Sequence, residues 1–427
     1  MLNFVFLALG LAAGLFLLDY YVYRNWRRFA GLRRWARRTL PVYRVALWVM
    51  PFLLPAYFSV SRWWEVEPKL VRGLVVGVWV IYYLPRVVIA AGLLVKDAIR
   101  FVIWLFGWFQ QRLLPATASS APADAPGEPA LDLSDMKRMP RRAFLQKLGW
   151  SAASVPFVIV GYGVFRTLYD FTLFRVEVPI PGLPRALDGL RIAQLSDLHA
   201  GSFFSPRPMH EAVALVRELQ PDLVAVTGDF VNNDERELDL ILPALRTLRA
   251  ELGVFGCLGN HDHYAHTPAV VDAVRATPVD LLVNENRILE IDGARLYVVG
   301  TDNTGFRQNY ADLPAALDGV VPGDDSTTLL LAHDPSFWDT HVRPHHPEID
   351  LMLCGHTHGG QLGIEAGPLR WSLARVVYPR WAGLYAEDHP GTGRRQFLYV
   401  NRGLGTVGPP VRLGIRPEIT LLTLRRA

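Results

Sequence analysis

Five short segments in the second half of the chain place Asp, Asn or His directly after an apolar run. In order, these segments read DLH, GD, GNHD, AHDP and GHTH. Carboxylate and amide oxygens and imidazole nitrogens bind divalent metals, and two such ions can hold a phosphate and activate a water molecule between them. The spacing therefore predicts a two-metal site for phosphoester hydrolysis. The candidate ligands are Asp197, His199, Asp229, Asn260, His333, His356 and His358.

Asp229 is the natural candidate for a carboxylate shared by both metals. Two cations about 3.5–4 Å apart repel each other, so the anion between them has to offset that repulsion. Asp229 stands alone after Gly228 at the end of the apolar run LVAVT. The mixture of carboxylate, amide and imidazole donors favours Mn, Fe, Zn or Co over an all-oxygen Mg or Ca site. We therefore expect two divalent ions of the first group.

A single His or Asp at the end of a strand more often caps a helix or satisfies a loop than binds a metal. The prediction therefore depends on all five segments together. Further histidines match none of the five segments, and we expect most of them to be solvated or to satisfy loops, with His263 close enough to line the site. They include His263, His266, His341, His345, His346 and His389.

The elements that position these residues alternate between strands and helices. Apolar runs such as RIAQL, DLVAVT, TTLLLA and IDLMLC each end just before a candidate ligand, as strands do before a loop. Pro208 and Thr267–Pro268 each begin a pattern typical of an amphipathic helix. This order predicts an α/β fold whose ligands gather outside the carboxyl ends of the strands.

The order DLH, GD, GNHD, H and GHTHGGQ resembles the calcineurin-like metallophosphoesterase superfamily. The motif GHTHGGQ and the tail NRGLGT…PVRLGIRPEI are similar to its membrane-anchored bacterial branch, and the similarity runs from about Val176 to Arg425. It implies an α/β/β/α sandwich and in-line attack by a metal-bound hydroxide. It also implies one metal held by Asp197, His199, Asp229 and His358, and a second held by Asp229, Asn260, His333 and His356.

The same resemblance implies a catalytic role for His261, which stabilises the transition state or protonates the leaving oxygen. In much of the family the GD motif continues as GDxxD, whereas this chain reads GDFVNN and has Asn232 in place of the second Asp. Asp262 is the remaining nearby carboxylate. We therefore expect Asp262 to share in orienting His261.

The charge is distributed unevenly along the 427 residues. Up to Leu113 there are 15 basic residues against 4 acidic ones, whereas from Leu148 onward there are 24 basic against 32 acidic. The overall net charge of +4 therefore comes from the apolar N-terminal part, and it gives no support for nucleic-acid binding. All 12 histidines follow residue 198, in the half that contains the predicted site.

Four apolar stretches have the length of a membrane span. The arginine-rich loop between the first two favours a cytoplasmic location for that loop. Alternate crossing then places residues 114–140, a Pro/Ala/Ser-rich linker, inside the cell and the catalytic half outside the cytoplasm. Arg86, inside the third stretch, marks either a polar pathway or a pair with a neighbouring helix. The four stretches are Leu2–Leu18, Val42–Val60, Val71–Val95 and Leu148–Phe165.

The predicted organisation is an all-α transmembrane region at 1–113, the linker at 114–140, an anchor segment at 141–170 and the metallophosphoesterase domain at 171–427. Arg141 and Arg142 begin a segment that resembles a twin-arginine export signal, although they are equally consistent with ordinary charges beside a span. Both readings give the same topology in a bacterial inner membrane.

Some further candidate residues belong to no motif, and only their position near predicted strands or ligand-bearing segments indicates a role. Cys257 and Cys354 each end a predicted strand, and we expect two buried free thiols, with a disulfide as the alternative. Five aromatic residues flank ligand-bearing segments, where they either pack or form an apolar rim, and three arginines could meet a phosphate. These residues are Phe203, Phe204, Tyr264, Trp338, Trp381, Arg207, Arg307 and Arg402.

The sequence thus predicts a membrane-anchored phosphoesterase that hydrolyses phosphodiester or pyrophosphate bonds, with a substrate that is either free or lipid-linked. One alternative is an enzyme similar to the UDP-2,3-diacylglucosamine pyrophosphatases of lipid A synthesis, although that substrate is cytoplasmic. A second alternative is a non-catalytic membrane sensor that retains the metals as a scaffold. A transport role for the first 113 residues gains little support, because the spans show no repeat.

Overall fold

The computed structural model describes residues 2–31, 34–61, 69–113, 155, 157–163, 166, 169–304, 309–367, 369–408 and 410–427. The chain forms two compact units, one comprising Met1–Glu67 and Val78–Gly161 and the other Pro68–Gly77 and Tyr162–Ala427. Three predicted features lie outside the described residues: the linker, the twin-arginine-like segment and residues 148–154 of the fourth apolar stretch.

The first unit is helical. Its helices are α1 (Leu2–Ala30), α2 (Arg34–Arg37), α3 (Leu40–Ser61) and α4 (Lys69–Leu113). Among the described residues, the segments Arg34–Tyr57 and Leu74–Phe109 are long and apolar enough to cross a membrane. Most of each apolar window is exposed within the described structure. These segments overlap the second and third predicted spans.

An ion pair lies inside this helical unit. Arg86 Nε is 2.9 Å from Asp19 Oδ1, and the Asp19 side chain is fully buried. The hydroxyl of Tyr82 donates a hydrogen bond of 2.6 Å to Asp19, and the Tyr43 hydroxyl donates a longer one of 3.3 Å. The Arg86 guanidinium also lies 3.3 Å from the centre of the Tyr82 ring. Arg86 therefore pairs with a neighbouring helix, which is the second of the two alternatives open from the sequence.

The second unit contains a first six-stranded sheet with the order β1-β14-β2-β3-β4-β5. Strands β2 to β5 run parallel, while β14 pairs antiparallel with β2 and parallel with β1. The strands are β1 (Thr172–Ile180), β2 (Arg191–Leu195), β3 (Leu223–Thr227), β4 (Val254–Cys257), β5 (Val279–Leu281) and β14 (Glu418–Arg426).

A second six-stranded sheet has the order β12-β13-β9-β8-β7-β6. Its central strands β7, β8, β9 and β13 are parallel, and each edge strand joins by an antiparallel hairpin. The strands are β6 (Glu285–Ile291), β7 (Ala294–Gly300), β8 (Ser326–Leu331), β9 (Leu351–Cys354), β12 (Gly383–Asp388) and β13 (Arg395–Val400). A separate hairpin consists of β10 (Gly363–Ala366) and β11 (Leu369–Ser372).

The two sheets pack face to face, and helices cover their outer faces. Alternate residues of each strand face the layer between the sheets, where Ile192 and Phe255 of the first sheet pack with Val298 and Leu353 of the second. Helices α5 and α7 cover the first sheet, and α8 lies on the second sheet. This is the predicted α/β/β/α sandwich. The helices are α5 (Arg207–Glu218), α6 (Leu242–Leu245), α7 (Thr267–Arg275), α8 (Leu313–Ala316) and α9 (Arg343–His345).

Both predicted helix starts are confirmed, because α5 begins at Arg207, beside the predicted Pro208, and α7 begins at Thr267. The prediction for the cysteines is confirmed as well: Cys257 and Cys354 are free and buried. They end β4 and β9 and pack on opposite sides of the second sheet, in the inner and outer layers respectively.

The Asp19–Arg86 pair leads to a first prediction. Removing one partner of a buried pair leaves the other charge uncompensated, which costs about 3–5 kcal/mol. We expect Asp19→Asn to lower the melting temperature of the full chain in detergent by about 5 °C or more. The control is Asp97→Asn, whose carboxylate is 43% exposed beside Lys96. An equal shift for both variants would contradict a stabilising role for the buried pair.

Candidate metal centre

Each predicted ligand lies in a loop that follows the carboxyl end of a central strand. Strands β2, β3 and β4 are parallel neighbours in the first sheet, and β8 and β9 are parallel neighbours in the second. Their carboxyl ends therefore meet at one edge of the sandwich. Strand β2 precedes Asp197 and His199, β3 precedes Asp229, β4 precedes Asn260, β8 precedes His333, and β9 precedes His356 and His358.

Four of these residues form a first group of converging ligand atoms. Asp197, His199, Asp229 and His358 are all buried, and one ligand atom from each lies within 4.8 Å of the others. His358 Nε2 lies 3.3 Å from Asp197 Oδ1, and His199 Nε2 lies 3.3 Å from Asp229 Oδ2. The two Nε2 atoms are 3.0 Å apart. This group matches the first ligand set that the sequence resemblance implies.

Asp229, His333 and His356 form a second group of the same kind. His333 Nε2 is 3.0 Å from Asp229 Oδ2, so the carboxylate of Asp229 belongs to both groups. Asn260 lies beside them in the same cavity, and its amide nitrogen donates to the Tyr264 hydroxyl at 3.0 Å. Its buried Oδ1 atom has no hydrogen-bond partner in the described part of the chain.

These atoms fit divalent metal ions. The Nδ1 atom of His333 donates to the Thr227 carbonyl at 2.8 Å, which leaves Nε2 as a lone-pair donor. Asn260 Oδ1 is buried without a hydrogen-bond partner among the described residues. Buried polar atoms are normally satisfied, and a backbone carbonyl that accepts from the far nitrogen is the usual support of a metal-binding imidazole. The set of oxygen and nitrogen donors is therefore suited to metals.

The buried groups of the site shift one another's pKa values. Burial opposes ionisation of Asp229, but His333 and His199 outweigh it and hold the pKa of the carboxyl well below its usual value. Burial likewise opposes protonation of His333, but Asp229 raises the pKa of the imidazole to about 10. Burial lowers the pKa of His199, His356 and His358, which favours the neutral form of the ring that metal binding requires.

The backbone at the site is held in an unusual conformation. Nine residues other than glycine have a positive φ among the described residues, and five of them are predicted ligands. Such left-handed conformations cost roughly 1–3 kcal/mol each and persist only where the surroundings enforce them. Their concentration at the ligands marks these loops as functional. The five are Asp197, His199, Asp229, His356 and His358.

Glycines allow the loops to approach one another. A Cβ atom at Gly355 would overlap the Ser196 hydroxyl and the carboxylate of Asp197, and one at Gly259 would overlap the carboxylate of Asp229. Both positions therefore need glycine for close approach to a ligand rather than for a positive φ. Gly228 needs it for both reasons, since its φ is +80°.

A cavity of about 570 Å³ opens over the site. Asp229, Asn260, His261, His356 and His358 form its polar part. The remaining wall is largely apolar and includes Tyr264, Leu362, Ala374, Val377, Val407 and Val411. The arrangement combines a buried metal-binding floor with room for a substrate that has an apolar portion.

Comparisons with known proteins agree with this geometry. Residues 190–360 match the model of the calcineurin-like phosphoesterase family, and residues 3–168 match that of a transmembrane domain described as belonging to a probable calcineurin-like phosphoesterase. The metallophosphoesterase YkuE of Bacillus subtilis (strain 168) is 31% identical over 68% of this chain and 99% of its own length. The chain belongs to the calcineurin-like metallophosphoesterase family.

Two further relatives share this similarity. A bovine (Bos taurus) transmembrane protein with a metallophosphoesterase domain is 32% identical over 65% of this chain and 62% of its own length. The phosphodiesterase YaeI of Escherichia coli (strain K12) is 32% identical over 55% of this chain and 82% of its own length. The chain thus spans about three fifths of the bovine relative and nearly all of the Bacillus one.

In this metallophosphoesterase the residue that orients His261 differs from the expectation. His261 Nδ1 donates to the backbone carbonyl of Asn232 at 2.5 Å, so the main chain replaces the carboxylate that GDxxD would provide. Asp262 forms no hydrogen bond with the His261 ring in the described structure. It accepts instead from the backbone N–H groups of Gly259, Asp229, Phe230 and Val231. The expectation that Asp262 orients His261 directly was therefore wrong.

Asp262 instead holds the loop that carries Asp229. Its four backbone donors bring the loops after β3 and β4 together, and the N–H of His261 then donates to Asp229 Oδ1 at 2.8 Å. Burial, followed by the charge of Asp229, raises the pKa of Asp262 to about 7. The hydrogen bonds of Asp262 thus hold the backbone around Asp229 and Gly259.

Some residues at the site were missed from the sequence. The hydroxyl oxygen of Tyr378 lies 2.7 Å from His356 Nε2, and Asp334 Oδ2 lies 3.7 Å from the same nitrogen. Arg412 is fully buried and donates to the carbonyls of Arg402, Gly403 and Gly405. Asp334 follows His333 directly in AHDP, so the motif itself offered a signal. Tyr378 and Arg412 are distant in sequence, and no spacing pattern indicates them.

Most of the other candidates have structural roles. Phe203, Trp338 and Trp381 are buried and pack, whereas Tyr264 lines the cavity and Phe204 is exposed near Arg207. Arg402 is not available to a phosphate, because it forms ion pairs with Glu365 and Glu418. Arg207 pairs with Glu211 on the surface, and Arg307 lies outside the described residues.

The remaining histidines mostly have local partners. His263 Nε2 lies 2.6 Å from Asp302 Oδ1, and His346 Nδ1 lies 2.8 Å from Glu348 Oε1. Neither residue belongs to a group of converging ligand atoms in the described part of the chain. His263 therefore follows the predicted ligand Asn260 closely in sequence, but its ring contacts Asp302 in another loop.

The close approach at Gly355 gives a second prediction. We expect Gly355→Ala to displace the carboxylate of Asp197 and to lower the metal content of the purified full chain, measured by inductively coupled plasma mass spectrometry, by at least about half. Gly92→Ala is the control, because a Cβ atom there meets nothing within 4 Å. Full metal content in Gly355→Ala would show that the loops tolerate a wider separation.

The backbone contacts of Asp262 give a third prediction. In Asp262→Asn an amide N–H₂ group faces backbone N–H donors, so the loop carrying Asp229 loses its anchor. We expect metal affinity, measured by titration with Mn²⁺, to fall about 10- to 100-fold. Asp239→Asn, at an exposed position, should have no effect. Unchanged affinity in Asp262→Asn would argue against this positioning role.

Proposed function

We propose that this metallophosphoesterase hydrolyses phosphodiester or pyrophosphate bonds of substrates at a membrane surface, with two divalent metals bound at the centre. The observation that supports this most directly is the position of Asp229, whose carboxylate belongs to both groups of ligand atoms. We assign one ion to Asp197, His199, Asp229 and His358. We assign the other to Asp229, Asn260, His333 and His356.

Bound metals of this kind neutralise the phosphoryl oxygens and supply a nucleophile near neutral pH. The residues of the chain supply the rest. Asp229 would offset the repulsion between the two cations, and His199 and His358 would each contribute a nitrogen donor.

His261 is the proposed proton donor to the leaving oxygen. Its Nδ1 atom is engaged by the Asn232 carbonyl, so Nε2 is the nitrogen left for a substrate. The ring lies in the cavity wall, with its centre 4.7 Å from the rings of both His199 and Tyr264. A backbone carbonyl orients the ring as a carboxylate would, but it adds no negative charge.

The substrate class is inferred from the surroundings of the centre. The E. coli relative is named a phosphodiesterase, and the cavity has an apolar wall beside its polar floor. Residues 3–168 match a transmembrane domain, so the domain is held near a bilayer. These features favour a diester or pyrophosphate with an apolar substituent over a small, fully charged monoester.

We further propose that the catalytic domain lies outside the cytoplasm of a bacterial cell. The arginines of residues 24–44 support a cytoplasmic loop, and four crossings then bring the chain to the other side. A reporter fused after Ala427 tests this location. Reporter activity in the cytoplasm would contradict it, and would favour the UDP-2,3-diacylglucosamine type of substrate instead.

A fourth prediction separates metal binding from catalysis. We expect Asp229→Ala to lose both metals, because the shared carboxylate is removed. We expect His261→Ala to keep both while hydrolysis of bis(p-nitrophenyl) phosphate by the Mn²⁺-loaded full chain falls about 10²- to 10⁴-fold. Metal content and turnover are measured on the same preparations. Asp239→Ala and His210→Ala are matched controls, because both residues are exposed outside the centre.

Two outcomes would contradict this assignment. Intact metal content in Asp229→Ala would rule out the shared carboxylate. Absence of turnover by the native chain with Mn²⁺, Fe²⁺, Zn²⁺ and Co²⁺, on diesters and pyrophosphates alike, would favour the non-catalytic sensor.

A further inference from the structure

The hairpin of β10 and β11 has its apolar side turned outward. Ile364 is paired directly with Trp371, and Leu369 lies two residues before Trp371 on the same strand, so these three residues lie on one face. Ile364, Leu369 and Trp371 are between 45% and 57% exposed. A hairpin on a water-soluble protein normally shows the opposite arrangement, with polar residues toward the solvent.

The charged residues of the hairpin lie on its other face. Glu365 and Arg370 form another cross-strand pair, with Arg370 Nε 3.2 Å from Glu365 Oε1. Glu365 also accepts two hydrogen bonds from the buried Arg402, and Arg370 donates to the Ala382 carbonyl at 3.1 Å. These contacts fix the orientation of the hairpin, because turning it over would break them.

The turn that follows β11 extends the apolar area. Leu373, Val376 and Val377 are 48%, 82% and 71% exposed. Together with Ile364, Leu369 and Trp371 they form what we term the hairpin surface. Arg375, within the same turn, is exposed as well, so a positive charge accompanies the apolar side chains. An exposed apolar patch of this kind marks a binding surface for another apolar body.

The hairpin surface continues into the catalytic cavity. Val377 belongs both to the surface and to the cavity wall, next to Ala374 and Tyr378. Tyr378 in turn contacts the predicted ligand His356. An apolar path therefore leads from the outer face of the hairpin to the metal-binding floor, with no charged residue among the residues that line the wall beside Val377.

The chain that precedes the domain connects to the base of this hairpin. Residues 157–163 are helical, and Gly163 packs so closely on Leu413 and Val411 that a Cβ atom there would overlap them. Leu413 accepts a hydrogen bond of 2.9 Å from the N–H of Gly363, the first residue of β10, and Val411 lines the cavity. Gly163, which lies within the residues matched as transmembrane and in the same compact unit as the hairpin, is thus close to the start of β10.

We propose that the hairpin surface docks on the lipid bilayer, in the boundary between headgroups and acyl chains, and that it admits a lipid-linked phosphoester from the bilayer into the cavity. This inference rests on the proposed function and specifies its substrate class. Trp371 and Arg375 are the residue types that favour this boundary, through an amphipathic ring and attraction to anionic headgroups. Gly163 keeps the domain near the point where the chain leaves the membrane, since a residue spans at most about 3.6 Å.

A depth measurement on the full chain tests the docking. A fluorophore on Val376→Cys is compared with one on Val321→Cys, which replaces a 58% exposed valine outside the hairpin surface. Cys257 and Cys354 are buried and can remain in place. In nanodiscs of phosphatidylcholine and phosphatidylglycerol, we expect lipids with a doxyl group near the headgroup to quench the label at position 376 about threefold more than the label at 321.

Equal quenching at the two positions would overturn the docking. A second result would also overturn it: the label at position 376 is not quenched by the doxyl lipids, but it is shielded from iodide, and the shielding increases with protein concentration. That result would assign the hairpin surface to a second copy of the chain. Both results are independent of catalysis, so they can be read even where the proposed function fails.

A pair of substrates with the same leaving group tests the admission of lipid. We expect Val376→Glu and Leu369→Glu to lower hydrolysis of dioleoylphosphatidyl-p-nitrophenol in nanodiscs about tenfold, because a charge on the surface opposes docking. Hydrolysis of bis(p-nitrophenyl) phosphate should stay within about twofold, since neither side chain lines the cavity. Val321→Glu is the matched control. A parallel loss on both substrates, or no loss on the lipid, would overturn the proposal.

Discussion

The centre depends on one buried carboxylate held in a strained conformation. Asp229 has a φ of +56° and lies between the ligand atoms from both sheets. Asp262 holds this loop by accepting a hydrogen bond from the Asp229 backbone N–H. Gly259 leaves the space that the Asp229 carboxylate occupies, because a Cβ atom there would overlap it. The imidazoles of His333 and His199 face this carboxylate and hold its pKa well below the usual value. The strain and the charge of the loop therefore both favour binding of a cation.

Much of this could be predicted from the sequence, because the relevant information is local. Apolar runs that end in Asp, Asn or His indicate both the strands and the ligands, and parallel strands bring their carboxyl ends together. The α/β class, the starts of α5 and α7 and the buried thiols followed from such patterns, whereas the α/β/β/α layering was implied by the family resemblance. The partition of ligands between two ions remains a proposal, although Asp229 does belong to two groups of converging atoms.

The remaining features depend on backbone atoms and on distant contacts. The carbonyl that orients His261 belongs to Asn232, and every residue has a carbonyl, so the residue type gives no signal. Asp262 was expected to orient that ring because it is close in sequence, but its carboxylate turns toward the backbone of another loop. The hairpin of β10 and β11 contains the turn signal Gly367–Pro368 and could have been predicted. Its outward apolar face depends on the buried Arg402, which binds Glu365 from a distant part of the chain.

Anomalous diffraction from crystals of the full chain grown with Mn²⁺ tests the central claim most directly. We expect two peaks, one on each side of the Asp229 carboxylate, each also within bonding distance of imidazole nitrogens from both sheets. A single peak, or two peaks that do not share Asp229, would contradict the account of a centre built around one bridging carboxylate.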